Sequence, residues 1–385
     1  MKPWNVLFFD HSARPGGGEI ALLRLIAALD RERFHPLVVL GSAGEFQTLL
    51  AEAGIEVHYL PLPTGIADVR KEKLSPSALL SAGKTRECWS YARRLAAFME
   101  SHHVDLLHTN SLKADLIGAA AARRARVPLI WHVRDRIASD NLSALTASGF
   151  RLACRCLPDH IVVNSRATLE TLGRAARGKA TVVYDGLPFP DFAPVPIPPG
   201  PPVIGILGRI SPWKGQHVFL NAAAQIRKNF PHARFRIIGA PLYGEEFYEQ
   251  DLRAMSNRLG LTGAVEFTGF EKDIKREIER LTVLVHASTL PEPFGQVVFE
   301  AMYYSRPVVA TRAGGVPEIV EDNITGILVP MEDAQAIACA VESLLAAPEC
   351  ARQMGAKGRE RVLHYFLAEQ SARKIESIYS TLLSD

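Results

Sequence analysis

At 385 residues the chain is long for one domain, and two are expected. Hydrophobic content of 48% with 22% charged residues excludes a disordered or collagenous chain, and five cysteines without metal-ligand spacing argue against a disulfide framework and fit a reducing compartment. The net charge of +3 is uneven: through Gly186, 24 Lys and Arg stand against 18 Asp and Glu, a balance of +6, and the remainder carries −3.

A phosphate-bearing partner or an anionic membrane surface would use the basic first half. Nucleic acid is not expected, because the arginines are scattered without a basic run or an aromatic platform. Residues 1–9 are too short an apolar run for a signal peptide, and no stretch approaches the about 20 apolar residues that span a bilayer. A cytoplasmic protein is expected, with peripheral attachment to the inner membrane face as a variant.

Residues 4–9 read as a buried strand, followed by the loop HSARPGGG at 11–18 and an amphipathic helix over 19–29. Strand, glycine loop and helix open a Rossmann-like half. Gly16, Gly17 and Gly18 lack the spacing of the dinucleotide fingerprint, and no ribose-binding acid follows the next strand at 35–40, so a nicotinamide cofactor is not expected. The three glycines either let backbone approach a ligand or simply turn the chain.

Strands at 55–59, 104–109, 129–133, 160–164 and 181–184, with helical patterns between most of them, imply a mainly parallel sheet covered on both faces. Ligands bind at the carboxyl ends of such strands, here the glycine loop and residues 108–111, 131–135 and 164–165. His132 is the candidate there. Residues 70–94 hold seven basic and two acidic residues interleaved with Leu, Trp89 and Tyr91, which fits a solvated amphipathic face or a helix near a membrane or acceptor. Cys154 and Cys156 read as ordinary helix residues. Residues 186–202, GLPFPDFAPVPIPPGPP, are too rich in proline for helix or central strand and read as a linker between domains.

A second sheet starts at 203–207, and its first strand ends in Gly208-Arg209-Ile210-Ser211-Pro212-Trp213-Lys214-Gly215 before a helix to Asn229. Arg209 and Lys214 stand at a strand end and a helix start, where fixed cations and helix amides converge on a diphosphate. Strands at 235–239, 265–267, 283–287, 307–310 and 326–329 continue the sheet. Gly269 and Phe270 close one of them, where exposed backbone and an aromatic ring fit a nucleobase and the ring equally fits the core.

The organising stretch is 291–315, PEPFGQVVFEAMYYSRPVVATRAGG. Pro293 predicts a helix start there, with Val297, Val298, Ala301 and Met302 as the buried stripe, Glu292 just before the helix and Glu300 off the stripe. The free amides of Phe294, Gly295, Gln296 and Val297, with the helix dipole, would hold a phosphate, and the two carboxylates would accept hydrogen bonds from hydroxyls at its two ends. The plainer alternative makes Glu292 a helix-start carboxylate and Glu300 a solvated residue.

Taken together, Gly208-Arg209 with Lys214-Gly215, Glu292-Pro293-Phe294-Gly295 with Glu300-Ala301, then Arg306-Pro307-Val308-Val309 and Gly314-Gly315-Val316-Pro317-Glu318, resemble the retaining glycosyltransferases of family four, nucleotide-sugar enzymes of the GT-B fold. The glycine loop, WHVRD at 131–135, Asn164-Ser165 and Asp185-Gly186 match weaker landmarks of that family. The resemblance implies an α/β architecture of two Rossmann-like domains with mainly parallel sheets facing across a cleft. Residues 1–186 would form the acceptor side, 187–202 the linker, 203–365 the donor domain, and 366–385 a last helix crossing back to the first domain.

By the same resemblance Arg209 and Lys214 hold the donor diphosphate, Glu292 contacts the sugar hydroxyls and Glu300 binds the ribose. The amides of Phe294, Gly295, Gln296 and Val297 complete the phosphate cradle, and Gly269 and Phe270 border the base. Gly17 and Gly18 face the diphosphate from the other domain, and His132 approaches the transferred sugar. Asp185 stands where Asn is common and Ser305 where Gly is usual, both away from the expected chemistry.

The implied reaction moves a sugar from a nucleoside diphosphate, UDP or GDP, with retention. The acceptor would be a glycan or lipid-linked molecule in cell-surface polysaccharide, lipopolysaccharide or glycolipid synthesis. No metal or other cofactor is expected, because the chain has no Asp-x-Asp motif. Front-face attack is favoured over a covalent intermediate, since no carboxylate is clearly placed as nucleophile. The rivals are a sugar-nucleotide 2-epimerase of the same architecture, which needs no acceptor, and a non-catalytic nucleotide-sugar-binding protein.

Overall fold

Strands that are apolar at every position, such as VLFF at 6–9 and VLV at 283–285, have no face to give to water, and each such set closes its own helix-covered sheet. A computed structural model describes residues 2–384 except 64–81, 140, 141, 174, 175, 177, 191 and 243. The chain divides into two compact units, Met1–Phe189 with Leu367–Asp385, and Pro190–Phe366.

The first unit holds seven parallel strands: β1 (Trp4–Asp10), β2 (Phe34–Leu40), β3 (Glu56–Tyr59), β4 (Leu106–Thr109), β5 (Leu129–Val133), β6 (His160–Val163) and β7 (Ala180–Val182). Their order is β3-β2-β1-β4-β5-β6-β7. Side chains alternate between faces with period two, so Leu7, Phe9, Leu107 and Trp131 pack into one layer and Val6, Phe8, Leu106 and Ile130 into the other. That second layer is completed by Ile375 and Tyr379 of the C-terminal helix, Ala368–Ser384. Leu187 pairs with Leu367 in an isolated bridge, and the Ala368 amide donates to the Leu187 carbonyl at 2.8 Å.

The second unit holds six parallel strands: β8 (Val203–Leu207), β9 (Arg234–Ile238), β10 (Val265–Gly269), β11 (Val283–His286), β12 (Val308–Thr311) and β13 (Ile327–Val329). The order is β10-β9-β8-β11-β12-β13. Each unit is Rossmann-like, built on one parallel sheet. In each sheet the strand order reverses once, between β1 and β4 in the first and between β8 and β11 in the second. The loops leaving those two strands part to opposite faces and leave a crevice at their carboxyl ends.

Three expectations change. The first helix runs over Gly17–Ala27, two residues before its expected start, because Gly16 is extended and caps it, so Gly17 and Gly18 form the first turn instead of a loop. The helix expected at Pro293 starts later and spans Gln296–Tyr303, since Gly295 has φ 109°, a left-handed conformation a continuing helix cannot contain. Val297 in it is only half-buried, and the buried stripe is Val298, Phe299, Ala301, Met302 and Tyr303.

The proline-rich segment 187–202 is no free tether. The buried Arg306 donates to the carbonyls of Val195 and Pro196 at 2.9 and 3.4 Å, and Arg359 to that of Phe192 at 3.1 Å, which straps the segment to the second unit. Of the basic stretch 70–94, residues 70–81 lie outside the described residues; the rest joins the helix Ala82–Ser101, where Trp89 is exposed and Tyr91 buried. Among the described residues no helix is long and apolar enough to cross a membrane.

Candidate active site

In the second unit the chain leaves β8 through Gly208, makes a short turn over Pro212–Lys214 and enters the helix Gln216–Asn229 through Gly215. Gly215 has φ 75°, and a Cβ there would stand 1.9 Å from the Ala287 carbonyl oxygen, so only glycine lets this loop lie against the exit of β11. The Thr289 amide donates to the Trp213 carbonyl at 2.8 Å and closes the approach. Lys214 is thereby delivered to Glu292, with Nζ 2.7 Å from Oε1.

Oε1 of Glu292 also accepts from His286 Nε2 at 2.9 Å and from the Ser288 hydroxyl. An ionised carboxylate only accepts, so His286 carries a proton on Nε2, and its Nδ1 faces Thr311 Oγ1 at 3.0 Å. Burial would raise the Glu292 carboxyl, but the Lys214 charge and the His286 contact outweigh it and hold the group far below the usual carboxylate range. Glu292 is therefore a buried anion.

Arg209 lies at the near end of the same loop, its Nε 3.4 Å from Glu245 Oε2. Trp213 serves both cations: the Arg209 guanidinium is 5.8 Å and Lys214 Nζ 4.4 Å from its ring centroid. Gly314, with φ 61°, packs on the Glu292 backbone, and the Gly315 amide donates to the Glu292 carbonyl at 2.9 Å. This clamp holds residues 292–295 as the loop that feeds the helix Gln296–Tyr303.

The expected residues of this unit separate into three groups. Lys214 and Glu292 meet at the crevice between β8 and β11, and Arg209 lies in the same loop against Glu245. Gly295, Gln296 and Val297 open the adjoining helix, with Glu300 half-buried along it, whereas the Phe294 ring is core, packed 5.2 Å from Phe299 and 5.8 Å from Phe366. Gly269 and Phe270 end the edge strand β10, and Phe270 is 63% exposed, which removes the core alternative for its ring. His286, Ser288, Thr311 and Glu245 were not among the candidates, although a lone His in the apolar run VLVHAS just before Pro291 is a legible signal.

In the first unit a chain of buried polar groups spans the carboxyl ends of β1, β4 and β5. Asn110 Nδ2 donates to Asp10 Oδ2 at 2.7 Å, and Arg134 Nε donates to Asn110 Oδ1 at 2.9 Å. Arg134 Nη1 pairs with Asp185, and its Nη2 is 3.3 Å from His132 Nδ1. Asp185, expected to lie away from the chemistry, is thus one residue removed from His132. Gly18 is brought beside this cluster, its carbonyl 3.4 Å from Asn110 Nδ2, but a Cβ on it would lie 3.6 Å from Arg134 Cδ, an ordinary contact.

Burial pushes Arg134 down to about 9, which leaves it a cation at neutral pH. Burial and the Arg134 charge hold His108 down to about 3 and His132 well below its ordinary value of 6.5. Both imidazoles are neutral in the fold, whereas in the unfolded chain they take up protons as pH falls through about 6.5. Depressed folded values mean that the stability is complete above that pH and is lost below it. Urea titrations at pH 7 and pH 5 are expected to differ by about 4 kcal/mol from these two groups, at ~1.4 kcal/mol per refused proton per pH unit below the unfolded value. Equal stability at the two values would contradict the buried neutral pair.

Residues 190–361 match the family described as glycosyl transferases group 1, and residues 16–186 match the glycosyl transferase 4-like domain. The chain is 28% identical over 316 residues to a D-inositol 3-phosphate glycosyltransferase of Segniliparus rotundus, a match spanning 75% of this chain and 68% of that one. It is 25% identical over 381 residues to D-inositol 3-phosphate glycosyltransferase 2 of Catenulispora acidiphila, 89% of each chain. Among solved structures, Anabaena Alr3699/HepE in complex with UDP and glucose is similar with a TM-score of 0.82 and 27% identity, covering 97% of this chain and 99% of the other.

Proposed function

Because this chain belongs to glycosyltransferase family four, with the GT-B fold, we propose that it transfers a sugar from a nucleoside-diphosphate donor to a hydroxyl acceptor with retention at the anomeric carbon. The observation that carries the reading is the contact of Lys214 with Glu292 at the crevice between β8 and β11, beside a helix start and with Arg209 in the same loop. A fixed cation pair and helix amides are what a departing diphosphate requires.

In this reading Lys214 and Arg209 take the diphosphate, and the amides of Phe294, Gly295, Gln296 and Val297 cradle it, so the step needs no metal. Glu292 orders the sugar hydroxyls, Glu300 the ribose, and Gly269 and Phe270 border the base. From the first unit, Gly17 and Gly18 contribute diphosphate contacts and His132 a sugar contact. Glu292 makes a poor nucleophile, because Lys214, His286 and Ser288 all donate to one of its oxygens and lower its basicity. That favours front-face attack, with the departing phosphate accepting the acceptor's proton.

UDP-sugars are the first donors to test, since the similar Anabaena protein was crystallised with UDP and glucose. The acceptor is a glycan or lipid-linked molecule of the cell surface, supported by the basic first half; the names of the curated relatives make a phosphorylated polyol the second candidate. A cytoplasmic site of action, at the inner membrane face for a lipid-linked acceptor, follows from that choice.

Thermal-shift measurements against UDP- and GDP-sugars test the donor, with about 2.7 kcal/mol of apparent stabilisation expected at a hundred times Kd. Glu300→Ala should raise the donor KM roughly tenfold, the worth of one charge-assisted hydrogen bond, while leaving the fold intact. No shift with any nucleotide sugar defeats the donor reading, and an unchanged KM defeats the ribose role. Conversion of the donor without acceptor would favour the epimerase.

A further inference from the structure

We propose that Tyr379 and His108 are positioning residues that, together with Arg134, fix His132 in the tautomer bearing its proton on Nε2, making that nitrogen a preset hydrogen-bond donor to an oxygen of the transferred sugar. The proposal rests on the reading of His132 as a sugar contact. It adds where the donor proton comes from and places part of its control in the C-terminal helix.

The three rings form one continuous chain. His108 and His132 extend the row of Leu106 and Ile130 by the period of two and so face the layer that Tyr379 completes. The Tyr379 hydroxyl is 2.6 Å from His108 Nδ1, and His108 Nε2 is 3.1 Å from His132 Nδ1. Arg134 Nη2 approaches the same His132 Nδ1 at 3.3 Å.

A guanidinium has only donors, so His132 Nδ1 must accept. His108 then donates from Nε2, and because burial keeps its ring neutral, its Nδ1 must accept from the Tyr379 hydroxyl. That hydroxyl keeps its proton, since burial raises Tyr379 well above the ordinary range. Donation therefore runs one way, from Tyr379 to His108 to His132, and leaves the His132 proton on Nε2.

Nε2 of His132 is buried and has no hydrogen-bond partner among the described residues, while His132 lines a small hollow with Ala21, Arg134, Asp185, Gly186 and Ser371. A buried N–H without an acceptor is costly and calls for one. Its class is an oxygen acceptor, which the reading of His132 as a sugar contact makes a hydroxyl or ring ether. A ring held neutral contributes a hydrogen bond there and no proton transfer.

The test uses the full chain labelled with 15N in histidine. Long-range 1H–15N spectra should show both His108 and His132 as Nε2–H tautomers; a His132 proton on Nδ1 in the wild-type spectrum overturns the proposal whatever any variant does. Tyr379→Phe should mix the tautomers and lower kcat roughly tenfold, the loss of one hydrogen bond, with Kd for UDP unchanged because UDP lacks the transferred sugar. His108→Gln, whose amide can still donate toward His132, should keep most of the rate that His108→Leu loses. Wild-type kcat in Tyr379→Phe together with a slow His132→Ala would sink the relay alone, whereas wild-type kcat in His132→Ala would sink the sugar contact itself.

Discussion

Lys214→Ala is expected to transfer sugar at roughly a hundredth to a thousandth of the wild-type rate, the usual cost of removing one fixed donor from developing charge. It should also unfold at lower urea. Lys214 is the counter-ion of a carboxylate only 7% exposed, and stripping one partner from such a pair leaves Glu292 charged and buried, at a cost of roughly 3 kcal/mol. His286 and Ser288 still donate to Glu292, which keeps the figure at the low end.

Arg209→Ala should lose a similar factor in rate with little loss of stability, since Arg209 and its partner Glu245 keep 29% and 21% of their side-chain surface in water. Adding Glu292→Gln to Lys214→Ala should restore much of the stability and none of the activity. Initial rates and urea midpoints on these variants separate the electrostatic role in transfer from the role in folding. Near-wild-type turnover in Lys214→Ala would end the diphosphate assignment.

Gly314→Ala is the second change expected to have a large effect. Gly314 has φ 61°, and an added Cβ would stand 2.0 Å from the Glu292 carbonyl oxygen and 2.7 Å from its nitrogen, so backbone must move. The left-handed conformation costs an alanine about 1–2 kcal/mol and the displaced loop adds to it. Residues 292–295 would shift away from the clamp, separating Glu292 from Lys214, and kcat should fall at least as far as in Lys214→Ala. Gly260→Ala is the control: φ is 68° there too, but nothing lies within 4 Å of the added carbon. It should pay the conformational cost of about 1 kcal/mol and keep full activity. Equal behaviour of the two variants would show that the clamp does not hold the site.

Both sheets were legible in the sequence because inner strands such as β1, β8 and β11 are apolar at nearly every position, and that signal is local. β8 and β5 were expected with the residues they have, while β4 begins two residues later than its apolar run because Val104 and Asp105 precede the pairing with β1. The cations and glutamates of the second unit were also legible, from spacing and from family likeness. What they do to one another was not. Gly295 delayed the start of the helix expected at Pro293 because its backbone is left-handed and its neighbourhood is filled by Val316 and Ile319 of a later helix.

Local order along the chain therefore determined which segments become strands, where the glycine turns fall and which charged residues stand at strand ends. The tertiary structure alone decided that Lys214 meets Glu292 across 78 residues, and that Tyr379 meets His108 across 271. Hydrophobic periodicity is written within a few residues, but a side-chain hydrogen bond depends on strand order and on which helix covers which face. Both are settled only when distant segments bury their apolar surface against each other.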